Sequence, residues 1–298
     1  MDDHYTHTLH WLGVDVPAPL PDALRSDVVD ARYEYASLDL RNSEDVASII
    51  TEFQPDIVIH AAAALRDESW PALAASNIDS VMGLVLGAAD STYPARIVTV
   101  SSGSVYGAVS HDELPLTESN ACFPVDLYAA SKKAAEDVAR ILAARQDVWL
   151  ATARVFNLLG PGLQDRHLTG SLAAQLSAAA LGLAEPLVRV GPLGSTRDFV
   201  DVRDAASAVV RIAESGVAGA SYNVASGSET STQFIFDFLV TASRMAGVIE
   251  IERRPGRQGD LDRSYADISE LLSLGHTPEV TLEQSLLDML SYYRDTVA

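Results

Sequence analysis

The stretch Arg96-Ile-Val-Thr-Val-Ser-Ser102-Gly-Ser-Val-Tyr-Gly107 most constrains what this chain can fold into. Residues 96–100 are a β-branched run of strand length, and the run ends in small hydroxyl residues and glycines. In an open parallel sheet, ligands bind beyond the carboxyl ends of the strands. Ser102 then stands where a hydroxyl can hydrogen-bond a substrate oxygen. The alternative is an ordinary Ser/Gly turn leaving a strand. Pro55–Ala64 is a second buried strand, entering a run of alanines, and Val148–Ala153 is another strand. A length of 298 residues accommodates one large α/β domain, or a nucleotide domain plus a smaller lobe.

Tyr128-Ala-Ala-Ser-Lys132 opens a helix. Pro124 lies just before it, and good helix formers run on through Leu142. Tyr128 and Lys132 are four apart, so their side chains share one helical face. A phenol alone titrates near about 10. An ammonium beside it favours the phenolate and lowers that value, so the pair can exchange a proton with a carbinol oxygen near neutral pH. On its own, Y-x-x-x-K also describes many solvated helix faces. Composition adds weight here: of the 21 lysines and arginines, only Lys132 and Lys133 are lysine. Wherever a plain positive charge suffices, this chain uses Arg, whose planar fork cannot replace a compact ammonium on a flexible stem. Keeping Lys at 132 points to a chemical requirement.

A net charge of −20 argues against binding a nucleic-acid backbone. An anionic substrate would need a few local arginines to overcome that field. The acidic residues are spread along the chain rather than massed in a tail, which reads as a solvated surface. The single cysteine, Cys122, excludes a disulfide framework and fits a reducing compartment. The seven histidines form no ligand-spaced cluster, so no metal is expected. No apolar run reaches spanning length and no charged-then-apolar leader opens the chain. No membrane partner is therefore expected, and the location is read as cytoplasmic.

Serine, tyrosine and lysine in this order are far more specific together than singly. V-T-V-S-S-G-S-V-Y-G followed by Y-A-A-S-K resembles the extended short-chain dehydrogenase/reductase superfamily, that is, the nucleotide-sugar epimerases, dehydratases and reductases. The resemblance covers about residues 36–295. It implies an α/β fold: a Rossmann-type doubly wound parallel sheet with a small α/β substrate-binding lobe. Residues 1–160 would be the NAD(P)-binding domain, to which 198–226 returns, and residues 161–197 and 227–298 the lobe. It implies Ser102, Tyr128 and Lys132 as a catalytic triad with Tyr128 as acid/base, NAD or NADP as cofactor, and a nucleoside-diphosphate sugar as substrate.

The implied cofactor contacts are Asp39 and Leu40, the alanines Ala61, Ala62 and Ala63, Asn77 of an N-x-x-G helix, and Phe156 near the nicotinamide, with Tyr128 and Lys132. Asp39 also reads as a capping or turn residue, beside a helix start at Ser43-Glu44-Asp45. His60 reads better as a packed core histidine. In R-x-x-N-x-x-G-P (154–161) the resemblance places Asn157 at a substrate phosphate. In R-D-F-x-D-V-R-D (197–204), Arg197 offers a fixed guanidinium to a pair of diphosphate oxygens. Arg203 and Asp204 read as a structural network capping the next helix. Arg257 and Asp260 resemble a loop that closes over the nucleotide, Arg257 at phosphate and Asp260 at a ribose hydroxyl. The helix opening at Asn77 and the helix of Tyr128 form a homodimer interface in the family. Burial within one domain is the other reading.

The first forty residues depart from this pattern. A dinucleotide-binding unit opens with an apolar strand and a Gly-rich turn, so that backbone can approach the pyrophosphate at a helix N-terminus. Here Gly13 is the only glycine before Gly83, and no G-x-x-G-x-x-G occurs. Thr8–Gly13 resembles the end of the family's first helix, and Val14-Asp-Val16 the start of its second strand. The expectation is that the first strand and Gly-rich loop are missing. The chain as written then reads as a shortened form of an active enzyme with weak hold on NAD(P)H. The family's 4,6-dehydratases carry an Asp-Glu pair just after the catalytic hydroxyl, where Gly103 and Ser104 stand here. Reduction or epimerisation at sugar C4 is therefore expected, most like a GDP-4-keto-6-deoxymannose reductase, with a UDP-sugar 4-epimerase second. A non-catalytic nucleotide-sugar-binding protein, degenerate at its cofactor loop, is the reading from another class. The intact Ser102, Tyr128 and Lys132 speak against it.

Overall fold

The computed structural model describes residues 10–15, 32–256 and 261–297. In chain order its strands are β1 (His10–Asp15), β2 (Arg32–Ser37), β3 (Ile57–His60), β4 (Arg96–Ser102), β5 (Leu150–Val155), β6 (Asn157–Leu159), β7 (Leu187–Val190), β8 (Thr196–Asp201), β9 (Ser221–Val224), β10 (Glu229–Ser231), β11 (Glu250–Arg253) and β12 (Arg263–Ser264). The helices are α1 (Ser43–Phe53), α2 (Trp70–Asp90), α3 (Leu127–Gln146), α4 (Leu168–Ala180), α5 (Val202–Ser215), α6 (Thr232–Ala242), α7 (Ser269–Ser273) and α8 (Leu282–Val297).

The main sheet is parallel throughout, in the order β3-β4-β5-β9. Every residue of β5 is buried, and β4 is buried or half-buried along its length. Such strands need cover on both faces, which is why they read as continuous apolar runs. One face packs Ile97 and Leu150 against Val46, Val85 and Ala139 of α1, α2 and α3. The other packs Val98, Ala151 and Val224 against Ala208, Val209 and Ile212 of α5. The sheet is thus doubly wound. A second core gathers Leu172, Leu176, Val188, Ile235, Leu286 and Met289 from α4, β7, α6 and α8. β8 lies between β10 and β12 in a smaller sheet and also pairs with β6, while β9 belongs to the main sheet.

Several boundaries differ from the sequence expectations. The expected helix end at Thr8–Gly13 is not found, because residues 10–13 already belong to β1, which runs parallel to β2. Aromatic and β-branched neighbours favour extended backbone, and a glycine costs a helix about 1 kcal/mol relative to alanine. Among the described residues, β1 and β2 form a separate pair that makes no ladder with the main sheet. The helix expected from Asn77 begins at Trp70 and places Asn77 inside a π-helical turn, Ala74–Asp79. That helix, 21 residues long, is apolar enough by length and composition to cross a membrane, contrary to the expectation that no run reaches that length. Its Val81, Leu84 and Val85 are instead core residues. A Cβ at Gly83 would overlap the Leu40 carbonyl, so glycine lets α2 lie directly on the chain leaving β2. Caps also shift by a residue or more. Asn42, not Ser43, accepts the first backbone N–H groups of α1, and Asp201, not Asp204, caps α5. Asp204 accepts from the Glu279 and Val280 N–H groups, each at 3.0 Å, and anchors the approach to α8.

Candidate active site

The site is assembled at the carboxyl end of β4. Ser102 is the last strand residue and caps a 3₁₀ turn, Gly103–Tyr106. Its Oγ accepts from the Ser104 N–H at 3.2 Å and from the Ser104 hydroxyl at 2.9 Å. Gly103 is required by close approach: a Cβ there would stand 2.9 Å from the Phe156 ring carbons. Buried Phe156 lies 6.2 Å, centroid to centroid, from the ring of Tyr106.

Helix α3 brings Tyr128 to this point. Asp126 Oδ1 accepts from the Ala129 N–H at 2.8 Å, starting the helix one residue before Leu127. Tyr128 falls in the first turn of α3, and the Ser102 hydroxyl is among the groups that act on its phenol. Burial pushes the Tyr128 phenol up from its ordinary value, opposed by Arg66 and by Ser102. This departs from the expectation that Lys132 lowers it. Lys132 is buried and donates to the Val100 carbonyl of β4 at 2.8 Å. Burial pushes its amine down to about 8, opposed by the Glu136 carboxylate. The cation over the Tyr128 ring is Arg66, whose Cζ lies 5.3 Å from the ring centroid.

Beneath Lys132 is a small cavity lined in part by His60, Asn77, Thr99, Ser101 and Glu136. His60 is buried against Ser80 at 3.2 Å, and burial pushes its imidazole down to about 4. It is a neutral, packed histidine. Both ends of the buried Asn77 amide are engaged: Oδ1 accepts from the Ala64 N–H and Nδ2 donates to the Ser131 hydroxyl, each at 2.8 Å. Asn77 therefore ties the alanine strip to α3.

Ala61 and Ala62 are exposed and Ala63 half-buried, directly after β3. Asp39 is exposed just beyond β2, with Leu40 half-buried beside it. The Arg41 side chain forks onto the Asp39 carboxylate, with Nε at 2.8 Å, and holds it down at about 2. Asn157 is exposed and donates to the Asp198 carbonyl at 2.8 Å, tying β6 to β8. Arg197, half-buried on β8, donates to the Thr196 carbonyl at 2.8 Å and to the Asp262 carbonyl at 3.5 Å. Arg257 and Asp260 lie outside the described residues.

The structure thus brings Ser102, Tyr128, Lys132 and Phe156 together around the end of β4, with the alanine strip beside them through Arg66. It leaves Asp39 and Leu40 just after β2, where the Leu40 carbonyl lies against Gly83 of α2, and Arg197 on the smaller sheet. The sequence reasoning missed Arg66, Asp126, Arg166 and Glu136. Asp126 carries a readable signal, an aspartate just ahead of a helix, whereas Arg66 and Arg166 sit in no motif.

The residues present fit a dinucleotide over its nicotinamide half. The alanine strip offers backbone without bulk at the carboxyl end of β3, Asn77 ties it to α3, and Ser102 and Tyr128 carry hydroxyls at the carboxyl end of β4 and in the first turn of α3. A doubly wound parallel sheet with this hydroxyl pair and a buried lysine at its carboxyl edge defines a dinucleotide-dependent α/β enzyme. The chain belongs to the NAD dependent epimerase/dehydratase family, whose model matches residues 4–225. It is 32% identical over 255 residues to GDP-6-deoxy-D-mannose reductase of Pseudomonas aeruginosa, spanning 82% of each chain. It is 28% identical over 286 residues to UDP-glucose 4-epimerase of Mycolicibacterium smegmatis, covering 94% of this chain and 89% of that one. Its fold superposes on RMD from Pseudomonas aeruginosa complexed with NADPH with a TM-score of 0.82 at 29% identity, covering 92% of this chain and 95% of that one.

Proposed function

We propose that this protein is an NAD(P)-dependent nucleotide-sugar oxidoreductase acting at sugar C4, most like a GDP-4-keto-6-deoxymannose reductase. The observation that carries this reading is the Ser102–Tyr128 hydroxyl pair at the end of β4, followed by Gly103 and Ser104 where elimination of water would need an acid and a base. The likeness to the Pseudomonas reductase supports the choice of reaction.

The bound cofactor would supply a hydride to C4. Every other step falls to this chain. Ser102 orients the C4 oxygen by a hydrogen bond. Tyr128, held protonated at neutral pH by burial, is in the state that donates its Oη proton to that oxygen as the ketone becomes an alcohol. Lys132 places a buried amine under the pair and braces helix α3 against β4 through the Val100 carbonyl. Phe156 lies at the nicotinamide, Asp39, Leu40 and the Ala61, Ala62, Ala63 strip meet adenosine and ribose, and Asn77 braces that strip against α3. Asn157, Arg197, Arg257 and Asp260 receive the substrate's nucleotide and diphosphate. The same proposal makes the chain a cytoplasmic homodimer joined through α2 and α3, measurable by light scattering.

The second reading is a UDP-sugar 4-epimerase, favoured by the relative from Mycolicibacterium. A reductase consumes reduced cofactor in proportion to product, while an epimerase returns it each turnover. Absorbance at the nicotinamide band should fall stoichiometrically with GDP-4-keto-6-deoxymannose. UDP-glucose/galactose interconversion without net oxidation would replace the reductase reading by the epimerase one.

A further inference from the structure

Arg66 lies in the loop between β3 and α2 and reaches the N-terminus of α3. Its Nη1 donates to Asp126 Oδ2, while Asp126 Oδ1 caps the helix at the Ala129 N–H. The same guanidinium stands over the Tyr128 ring, 5.3 Å from its centroid. One side chain therefore links the loop of the alanine strip, the cap of α3 and the phenol two residues beyond that cap.

Folding stability does not account for this arrangement. The Arg66 and Asp126 side chains are 44% and 30% exposed, and ion pairs at that exposure contribute little to folding. A planar guanidinium on an aromatic face does act on the ring's charge state. The charged and polar groups facing Tyr128 are Arg66, Asp126 from its own helix, Arg166 from the loop ahead of α4, and Ser102 from β4. Arg66 opposes the effect of burial most strongly, Arg166 adds to it, and Asp126 works against both. The Lys132 amine is hydrogen-bonded to Val100.

Resting on the proposed acid role of Tyr128, we propose that Arg66 is a positioning residue that orients the Tyr128 ring through Asp126 and stabilises its phenolate as the proton leaves. A cation within about 4–6 Å of an acid lowers its pKa by roughly one unit or more. Removing it should move the Tyr128 titration up in pH.

The test compares the parent with Arg66→Met and Arg66→Lys, each with and without Tyr128→Phe. The difference in phenolate absorbance between each protein and its Tyr128→Phe counterpart isolates the Tyr128 titration, with no substrate needed. Arg66→Met should shift that titration upward by about one pH unit. The falling alkaline limb of the reductive pH–rate profile should move by the same amount. Arg66→Lys should restore the charge effect in part, and thermal unfolding of both should stay near the parent's. If Arg66→Met leaves the titration and the rate limb where the parent has them, Arg66 is a surface ion pair and the inference falls. If Tyr128→Phe remains fully active, the acid assignment falls instead, while the absorbance shift still decides whether Arg66 acts on the phenol.

Discussion

Tyr106 and Tyr128 have the same neighbours by type. Arg154 stands 5.0 Å from the ring centroid of Tyr106, and Arg66 stands 5.3 Å from that of Tyr128. Each arginine is paired with a carboxylate of the α3 region, Glu136 in the first case and Asp126 in the second. Everything else differs. Arg154 and Glu136 are 8% and 6% exposed, and Arg154 also donates to the Tyr106 hydroxyl at 3.1 Å and the Glu118 carbonyl at 3.3 Å. The Tyr106 hydroxyl in turn donates to Asn223 Oδ1 at 2.6 Å, and its phenol is pushed up to about 12, chiefly by burial. That assembly is closed: each buried polar group has partners, and it clamps β4's exit, α3, β5 and β9 together. The Tyr128 assembly is open, with a half-buried phenol at the rim. The same residue types thus make a structural clamp where burial is complete and, in the proposed reaction, a proton-transfer site where one face meets solvent.

The comparison breaks first on the two phenols. Tyr128→Phe should lower kcat by about 10²–10⁴-fold, the range for loss of a general acid, with thermal unfolding unchanged. Tyr106→Phe should do the reverse. It strands Asn223 Oδ1 and part of Arg154, costing about 1–3 kcal/mol of stability while proton transfer survives. Chemical denaturation and steady-state kinetics on both variants check this, and a Tyr106 variant with the larger catalytic loss would invert the assignment.

The carboxylates should separate next. Glu136→Ala leaves the buried Arg154 charge uncompensated, so a loss of about 3–5 kcal/mol is expected. Asp126→Asn keeps the cap acceptor and breaks only a rim ion pair, so urea midpoints should place it within about 1 kcal/mol of the parent. Equal losses would show that burial does not distinguish the two assemblies.

The pH axis sharpens the contrast through His60, beside the closed interior. Its folded value, about 4 against an ordinary 6.5, lies below that of the unfolded chain. Between those values the unfolded state binds more protons, so stability rises with pH from about 4 to 6.5 and is lost as pH falls. The span corresponds to roughly 3 kcal/mol. His60→Gln should flatten this part of the stability profile, and a slope that survives the change would assign it to other groups.

Much of the fold was legible because its signals are local. A β-branched run ending in Ser/Gly, and Tyr and Lys four apart behind Pro124, announce β4 and α3 without reference to anything distant. The packed core role of His60 was legible in the same way, from the apolar residues around it. Boundaries moved by a residue or more where capping decided them, as at Asn42 and Asp201, because several neighbouring polar residues could serve and only backbone geometry selects one. The stretch before Asp15 was misread as a helix end because a short apolar run has no period of its own.

The sequence by itself determined which side chains can carry the chemistry: a hydroxyl at the end of β4, and a phenol and an amine on one face of α3. Only the tertiary structure decided how those groups are charged and oriented. Lys132 turns to the Val100 carbonyl 32 residues away, Arg66 reaches Asp126 across 60 residues, and Tyr106 meets Asn223 across 117. Periodicity and spacing describe neighbours along the chain. Electrostatics and burial depend on neighbours in space, and those were set when the sheet closed under its helices.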